Sequence, residues 1–257
     1  MKKTFFVRTA IKGKVYWGIV EGDVVHRLDG SPLSEWTRGE PLGKLAELTM
    51  LAPAPPTKIV CIGRNYAAHA AEHKAEVPKE PLIFFKPPSS VIGPNAPIVL
   101  TPQSKQVEHE SELALVIGRQ CRNVSADEAW AHVLGVTCGN DVTARDLQRQ
   151  DSQWTRAKGF DTFCPLGPWL VTGLSESEVA ALEVTCRVNG KVRQRGNTSE
   201  MVFSPARLIA YISAIMTLEP GDVIMTGTPA GVGPLVAGDE VEVEVAGVGI
   251  LKNSVTW

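Results

Sequence analysis

Apolar residues in this chain gather into runs of four or five that stop at turn formers or charges. That length suits strands and is short for helices. Ile59-Val60-Cys61-Ile62, Leu82-Ile83-Phe84-Phe85 and Leu113-Ala114-Leu115-Val116-Ile117 are such runs, and Glu240 to Val245 alternates Glu-Val three times, the period of a half-solvated strand. Near the start, Thr4–Val7, Val15–Val20 and Val24–Val25 read as short strands punctuated by Gly13 and Gly22-Asp23. Helical patterns are few. Ser125 to Leu134 opens with the capping-box pair Ser125 and Glu128. Ser204 to Leu218 has a capping serine, Pro205 at the first helical position, and Leu208, Ile209, Ile212, Ile215 and Met216 at helical spacing. A further helix is expected near Leu42–Leu48. With 18 Pro and 23 Gly to supply turns, the pattern predicts a mainly β fold with few helices, of the α+β class. Leu51-Ala52-Pro53-Ala54-Pro55-Pro56 can continue neither helix nor sheet. It divides a small N-terminal β subdomain, residues 1–55, from a main body, residues 56–257.

Charge narrows the function. Lys and Arg number 26 against 28 Asp and Glu, and no basic stripe stands out, so a nucleic-acid partner is not expected. No apolar run approaches the ~20 residues of a membrane span. Arg8 interrupts the first apolar stretch and no small-residue cleavage site follows, so a signal peptide is not expected. The five cysteines are an odd number without a C-x-x-C pair, which suits reduced, buried thiols and a cytoplasmic protein. Ser104, Ser111 and Ser152 lack a G-x-S-x-G context, so a serine hydrolase is not expected.

The chemistry-bearing residues begin at Val107-Glu108-His109-Glu110-Ser111-Glu112. In a strand Glu110 and Glu112 share one face. Two bare carboxylates there need either open water, as at Glu240, Glu242 and Glu244, or a cation. Downstream, an apolar strand ends at Gly139-Asn140-Asp141, with Thr143 and Asp146 as a cap pair for a helix that carries Arg145 and Gln148 on one face. Three carboxylates without a Cys or His cluster favour Mg²⁺, Mn²⁺ or Ca²⁺ over zinc. On the alanine-rich stretch Tyr66–His73, His69 and Glu72 lie three apart. Glu72 can orient His69 as a base, or the pair can be an exposed helix face. Residues 74–81 after it read as mobile, so this helix is expected to order over bound ligand. Lys158 follows a polar stretch, 148–156, that reads as a loop, and Thr228 sits in a Gly-rich turn that lacks a phosphate-loop lysine.

Together these blocks resemble the fumarylacetoacetate hydrolase family. The resemblance is carried by Ile62-Gly63-Arg64-Asn65-Tyr66-Ala67-Ala68-His69-Ala70-Ala71-Glu72, His109-Glu110-Ser111-Glu112, Asn140-Asp141-Val142-Thr143-Ala144-Arg145-Asp146-Leu147-Gln148, Lys158-Gly159-Phe160-Asp161 and Thr226-Gly227-Thr228-Pro229-Ala230-Gly231-Val232-Gly233, in family order over about residues 57–250. It implies a β-rich core and a divalent metal, Mg²⁺ or Mn²⁺ with Ca²⁺ as a further candidate, held by Glu110, Glu112 and Asp141. It also implies His69, Glu72 and Lys158 as catalytic residues, and Arg64, Tyr66, Arg145, Gln148 and Thr228 around a small 2-oxo or 2,4-dioxo acid substrate. A homodimer is expected on the same ground. Arg64 and Asn65 stand where the member that names the family has a further metal-binding aspartate, as in the smaller acylpyruvate-type relatives. The expected reaction is hydrolysis of a C–C bond of an acylpyruvate. The alternative on the same site is isomerisation or decarboxylation of an unsaturated 2-oxo dicarboxylate, of the 2-hydroxyhepta-2,4-diene-1,7-dioate, 5-carboxymethyl-2-hydroxymuconate or oxaloacetate type.

Overall fold

The strand Ser111–Ile117 is buried at every position, and its surroundings explain why its sequence carries an unbroken apolar run. It lies inside a twelve-stranded sheet, antiparallel to Val133–Asn140 on one side and to Val223–Met225 on the other. Leu113, Leu115 and Ile117 point into one core and Ala114 and Val116 into another, so neither face meets water. The first core is closed by Leu208, Ile209 and Ile212 of the helix Pro205–Ile215, and by Val243, Val245 and Leu251 of a second, five-stranded sheet. The computed structural model describes residues 2–257.

Ten strands of the large sheet run Trp36–Lys44, Val24–Gly30, Lys14–Glu21, Thr4–Ile11, Cys164–Thr172, Val133–Asn140, Ser111–Ile117, Val223–Met225, Ile59–Gly63, Leu82–Lys86, and the other two branch off, Thr49–Leu51 on Thr4–Ile11 and Val91–Ile92 on Cys164–Thr172. Its N-terminal strands extend the main body's sheet, because Thr4–Ile11 pairs with Cys164–Thr172. In the five-stranded sheet Val241, Val243 and Val245 are buried, while Glu240 is exposed and Glu242 and Glu244 are half-buried, as the alternation requires. The mainly β, few-helix reading is what the chain adopts. No helix among the described residues is long and apolar enough to cross a membrane.

Four local expectations are corrected. Residues 42–48 are not a helix: Trp36–Lys44 is a strand, followed by one tight turn at Leu45–Glu47 and the strand Thr49–Leu51. Pro41 has no N–H to give a helix, and Gly43 takes a φ of +147°. The capping box at Ser125 forms, but its helix stops at Ala129 and a single turn leads to a strand beginning at Val133. Pairing of Val133 with Ile117 outweighs local helix preference. The helix capped by Ser204 ends at Ile215, because Leu218 exchanges both backbone hydrogen bonds with Cys121. The segment 148–156 is not a loop: the helices Arg145–Gln150 and Thr155–Lys158 occupy most of it.

The chain enters its main body at Thr57-Lys58, and a fully buried carboxylate fixes that entry. Asp222 accepts from the Thr57 N–H (3.2 Å) and hydroxyl (2.6 Å), the Lys58 N–H (3.0 Å) and the Glu219 N–H (2.7 Å), and it pairs with Lys58 Nζ at 2.5 Å. Burial alone would raise its pKa, but the donors from Lys58, Thr57 and Glu219 outweigh that and hold it below the ordinary aspartate value. Asp222→Ala is expected to lower the unfolding free energy by about 3–5 kcal/mol, the scale of a broken buried pair. Because the folded pKa lies below the unfolded one, this stabilisation is present above about pH 4 and lost as pH falls further. Thermal melts of both proteins from pH 6 to pH 3 should therefore converge toward the acid end.

Candidate active site

Strand register brings the acidic residues together. Ser111 is paired with Asn140 in the antiparallel ladder, so the residue before one and the residue after the other, Glu110 and Asp141, are neighbours. The Asp141 N–H donates to Glu110 O (2.9 Å), and the Glu110 N–H donates to Asn140 Oδ1 (2.9 Å). Glu110 also marks the point where the chain leaves a small three-stranded sheet at His109 and enters the large one at Ser111. Glu112, across from Gly139, aims its carboxylate at the same spot and accepts from the Gly227 N–H at 2.8 Å. Gly227 has a φ of +100°, and a Cβ there would lie 2.7 Å from Asn65 Cβ, so only glycine offers that N–H. Glu110, Glu112 and Asp141 are 4%, 1% and 1% exposed, which excludes the solvated-edge reading.

Cations surround this cluster unevenly. Lys158 Nζ donates to Glu110 (2.8 Å) and Asp141 (2.6 Å) and lies 4.8 Å over the Phe84 ring. Lys86 Nζ donates to the other Asp141 oxygen (2.5 Å) and to Val142 O (3.0 Å). Arg145 uses Nε on Glu108 (2.8 Å), one terminal nitrogen on Glu110 and the other on Gln148 (2.6 Å). Burial opposes the charge on Glu110, but Lys158, Arg145 and His69 hold its carboxyl well below the usual range. Burial likewise opposes the ammonium of Lys158, and Asp141 and Glu110 more than restore it. Glu112 receives less help, from the Gly227 N–H and the more distant charge of Lys158. Burial, then the charges of Asp141 and Glu110, push its carboxyl well above the usual range. One side of the cluster thus lacks a positive charge. Oxygens of Glu110, Glu112 and Asp141 lie within 4.8 Å of one another, and this all-oxygen donor set fits a hard divalent cation.

These residues line a cavity of about 240 Å³ together with Arg64, His69, Phe84, Gln148, Trp154 and Thr228. His69 comes from the helix Ala67–Glu72; burial lowers its pKa, leaving it neutral at pH 7. Its Nδ1 is 3.5 Å from Glu72 Oε2, beyond hydrogen-bond reach, while both Glu72 oxygens accept from the Gly231 N–H at 3.2 Å. Thr228 donates to Ser111 O (2.8 Å) and accepts from Gln194 (2.7 Å). The Arg64 guanidinium lies 6.0 Å from the Trp154 ring centroid and makes no ion pair among the described residues. Two expected residues stand apart: Tyr66 is buried outside the cavity lining with its hydroxyl unpartnered, and Glu72 faces Gly231 at the surface. The expected cap at Thr143 is also corrected. Thr143 joins a strand and donates to Asp141 O (2.8 Å), Ala144 precedes the helix, and Asp146 accepts from Ser104 and the Lys105 N–H instead.

Residues 58–256 match the model of the fumarylacetoacetate (FAA) hydrolase C-terminal domain. The chain belongs to the fumarylacetoacetate hydrolase family. Residues 6–53 match a separate model, Rv2993c-like, N-terminal. Among members of the family, the chain is 50% identical over 220 residues to the mitochondrial oxaloacetate tautomerase FAHD2A of Homo sapiens, covering 82% of this chain and 70% of that one. The crystal structure of 5-carboxymethyl-2-hydroxymuconate delta-isomerase from Mycobacterium smegmatis superposes with a TM-score of 0.90 at 46% identity, over 98% of this chain and 99% of the other. That of 2-hydroxyhepta-2,4-diene-1,7-dioate isomerase from Mycobacterium marinum gives 0.90 at 42% identity, over 98% of each chain.

Within this family site, Lys86, Glu108 and Gln194 were not anticipated from sequence. Glu108 continues the same-face parity of Glu110 and Glu112, a usable signal. Lys86 closes the apolar run 82–85, where a terminal lysine reads as solvated. Gln194 sits in a strand of polar residues and gave no signal, yet it is a hub: it accepts from the Ser111 N–H (3.0 Å), pairs with His109 Nδ1 (2.8 Å), and donates to Thr228 Oγ1 and Pro229 O (both 2.7 Å). Gln194→Leu should orphan several buried groups at about 1–3 kcal/mol each and lower stability by about 2–4 kcal/mol after relaxation. A lower urea midpoint with an unchanged slope is the expected result.

Proposed function

We propose that this chain is a cation-assisted isomerase that moves a proton within a 2-oxo dicarboxylate, of the oxaloacetate keto–enol kind, in preference to an acylpyruvate hydrolase. The relatives named above as tautomerase and isomerases support this reading. The observation that carries it is the setting of His69. A base that activates water for C–C hydrolysis is commonly oriented by a carboxylate hydrogen-bonded to it. Here Glu72 is 3.5 Å from the imidazole and engaged by Gly231. A neutral imidazole alone suffices to take a proton from the carbon beside a 2-oxo group, with a proton delivered to the oxo oxygen to complete the enol, or to do the reverse. Burial keeps His69 in that neutral form.

The other side chains divide the remaining work. Lys158, held charged between Glu110 and Asp141, supports negative charge developing on the substrate oxygen. Gln148 and Thr228 orient the 2-oxo acid from the cavity wall. Arg145, with its nitrogens committed to Glu108, Glu110 and Gln148, positions these groups. Arg64, which lines the cavity and makes no ion pair among the described residues, is a cation available to the second carboxylate. A divalent ion, Mg²⁺ or Mn²⁺, held by Glu110, Glu112 and Asp141 would supply Lewis-acid stabilisation of the same oxygen.

Two measurements test this. In calorimetric titrations with Mg²⁺ or Mn²⁺, Glu110→Ala, Glu112→Ala and Asp141→Ala should each weaken binding at least about tenfold, since each removes a charge and a ligand together. Unchanged affinity in all three would remove the cation site. Enol–keto interconversion of oxaloacetate, followed by ultraviolet absorbance, should be accelerated and should fall by about 10²-fold in His69→Ala. Cleavage of acetylpyruvate alongside solvent-rate interconversion of oxaloacetate would instead favour the hydrolase.

A further inference from the structure

The helix Ala67–Glu72 and the residue after it read His69-Ala70-Ala71-Glu72-His73. A His-x-x-Glu-His spacing sets two imidazoles one helical turn apart with a carboxylate beside them. In this fold the three side chains do converge: nitrogen and oxygen ligand atoms of His69, Glu72 and His73 all lie within 4.8 Å of one another. The two rings meet edge to face with centroids 4.7 Å apart, and His69 Nδ1 is 3.5 Å from Glu72 Oε2. A second observation points to a ligand. His69 is 6% exposed, and its Nδ1, turned toward Glu72, has no hydrogen-bond partner. A buried polar atom left bare in this way needs an explanation.

We propose that His69, Glu72 and His73 form a second metal site, for a borderline transition ion of the Zn²⁺ class, and that filling it inhibits the enzyme. Two imidazole nitrogens and one carboxylate oxygen select such an ion, whereas the all-oxygen set of Glu110, Glu112 and Asp141 selects Mg²⁺ or Mn²⁺. Ligands about 2.0–2.2 Å from a tetrahedral zinc lie about 3.3–3.5 Å from each other, the separation already present between His69 and Glu72. Glu72 and His73 are exposed and free to close the remaining gap. Glu72 exchanges its Gly231 N–H for the ion. Inhibition follows because the ion fixes the His69 ring and occupies its lone pair. That half of the proposal rests on His69 being the proton carrier; the binding half does not.

The test uses the full chain in saturating Mg²⁺, titrated with Zn²⁺ by calorimetry and examined by X-ray absorption at the zinc edge, with oxaloacetate interconversion assayed in parallel. The expected result is one Zn²⁺ per chain with Mg²⁺ retained, two imidazole nitrogens around the zinc, and activity lost in proportion to occupancy. A zinc-selective chelator should restore it. His73→Ala should weaken Zn²⁺ at least tenfold while leaving Mg²⁺ affinity unchanged. Stoichiometric displacement of Mg²⁺, oxygen-only coordination, or unchanged Zn²⁺ affinity in His73→Ala would each overturn the site. Zinc bound through two imidazoles with no interconversion to inhibit would support the site and count against the proton-transfer reading.

Discussion

Four carboxylates and three cations share one buried cluster beneath the sheets, and the rest of the structure is arranged around keeping them there. Glu108, Glu110, Glu112 and Asp141 face Lys86, Arg145 and Lys158, and every one of these residues is buried. Any of these charges alone in such a place would be strongly destabilising. Together they form a chain of pairs in which Arg145 links Glu108 to Glu110, Lys158 links Glu110 to Asp141, and Lys86 closes the far side of Asp141. Only Glu112 ends the chain without a cation, holding a single backbone N–H. The acidic excess is therefore localised, facing the cavity, where a divalent ion or a proton can relieve it.

Such a cluster needs stiff walls. It receives them because it sits where two sheets exchange a strand: His109 belongs to one ladder and Ser111 to another, so Glu110 between them cannot shift without disturbing both. Asn65 adds a third restraint. Its amide donates to Phe203 O and Thr226 O while its oxygen accepts from the Phe203 N–H, tying the turn before the His69 helix to the turn that presents Gly227. The cation side and the imidazole side of the cavity are thereby held in one frame.

How much of this can be read from sequence depends on the range of the interaction. The apolar runs at 59–62, 82–85 and 113–117, the alternation at 240–245 and the Ser204 cap depend on neighbours in sequence, and they reappear as strands and a helix. Residues 42–48 and 130–134 carry helical patterns that pairing with a neighbouring strand overrode, and a short helix in their place would leave its end groups open. At the site, the same-face parity of Glu110 and Glu112 was legible, and so was the end-of-strand position of Asp141. The convergence of Lys86 and Gln194 was not. Both depend on register between segments far apart in the chain. The His69–Glu72 spacing was visible as well, but not that Glu72 would turn to Gly231, a contact made 159 residues away.

That last contact bears on how one scaffold could support more than one reaction. Proton transfer and C–C hydrolysis on a 2-oxo acid both build negative charge on the same oxygen, so both draw equally on the carboxylate cluster and Lys158. They differ in what must be delivered from the opposite wall: a base alone in one case, a base with an activated water in the other. On the proposed reading, the difference reduces to whether Glu72 sits on His69 or on the Gly231 loop. A shift of under 1 Å, on the scale that separates 3.5 Å from a hydrogen bond, changes the imidazole from an independent base into half of a dyad. On the reading proposed here, the helix Ala67–Glu72 and the Gly231 turn choose the reaction. The buried ionic network only makes either one feasible.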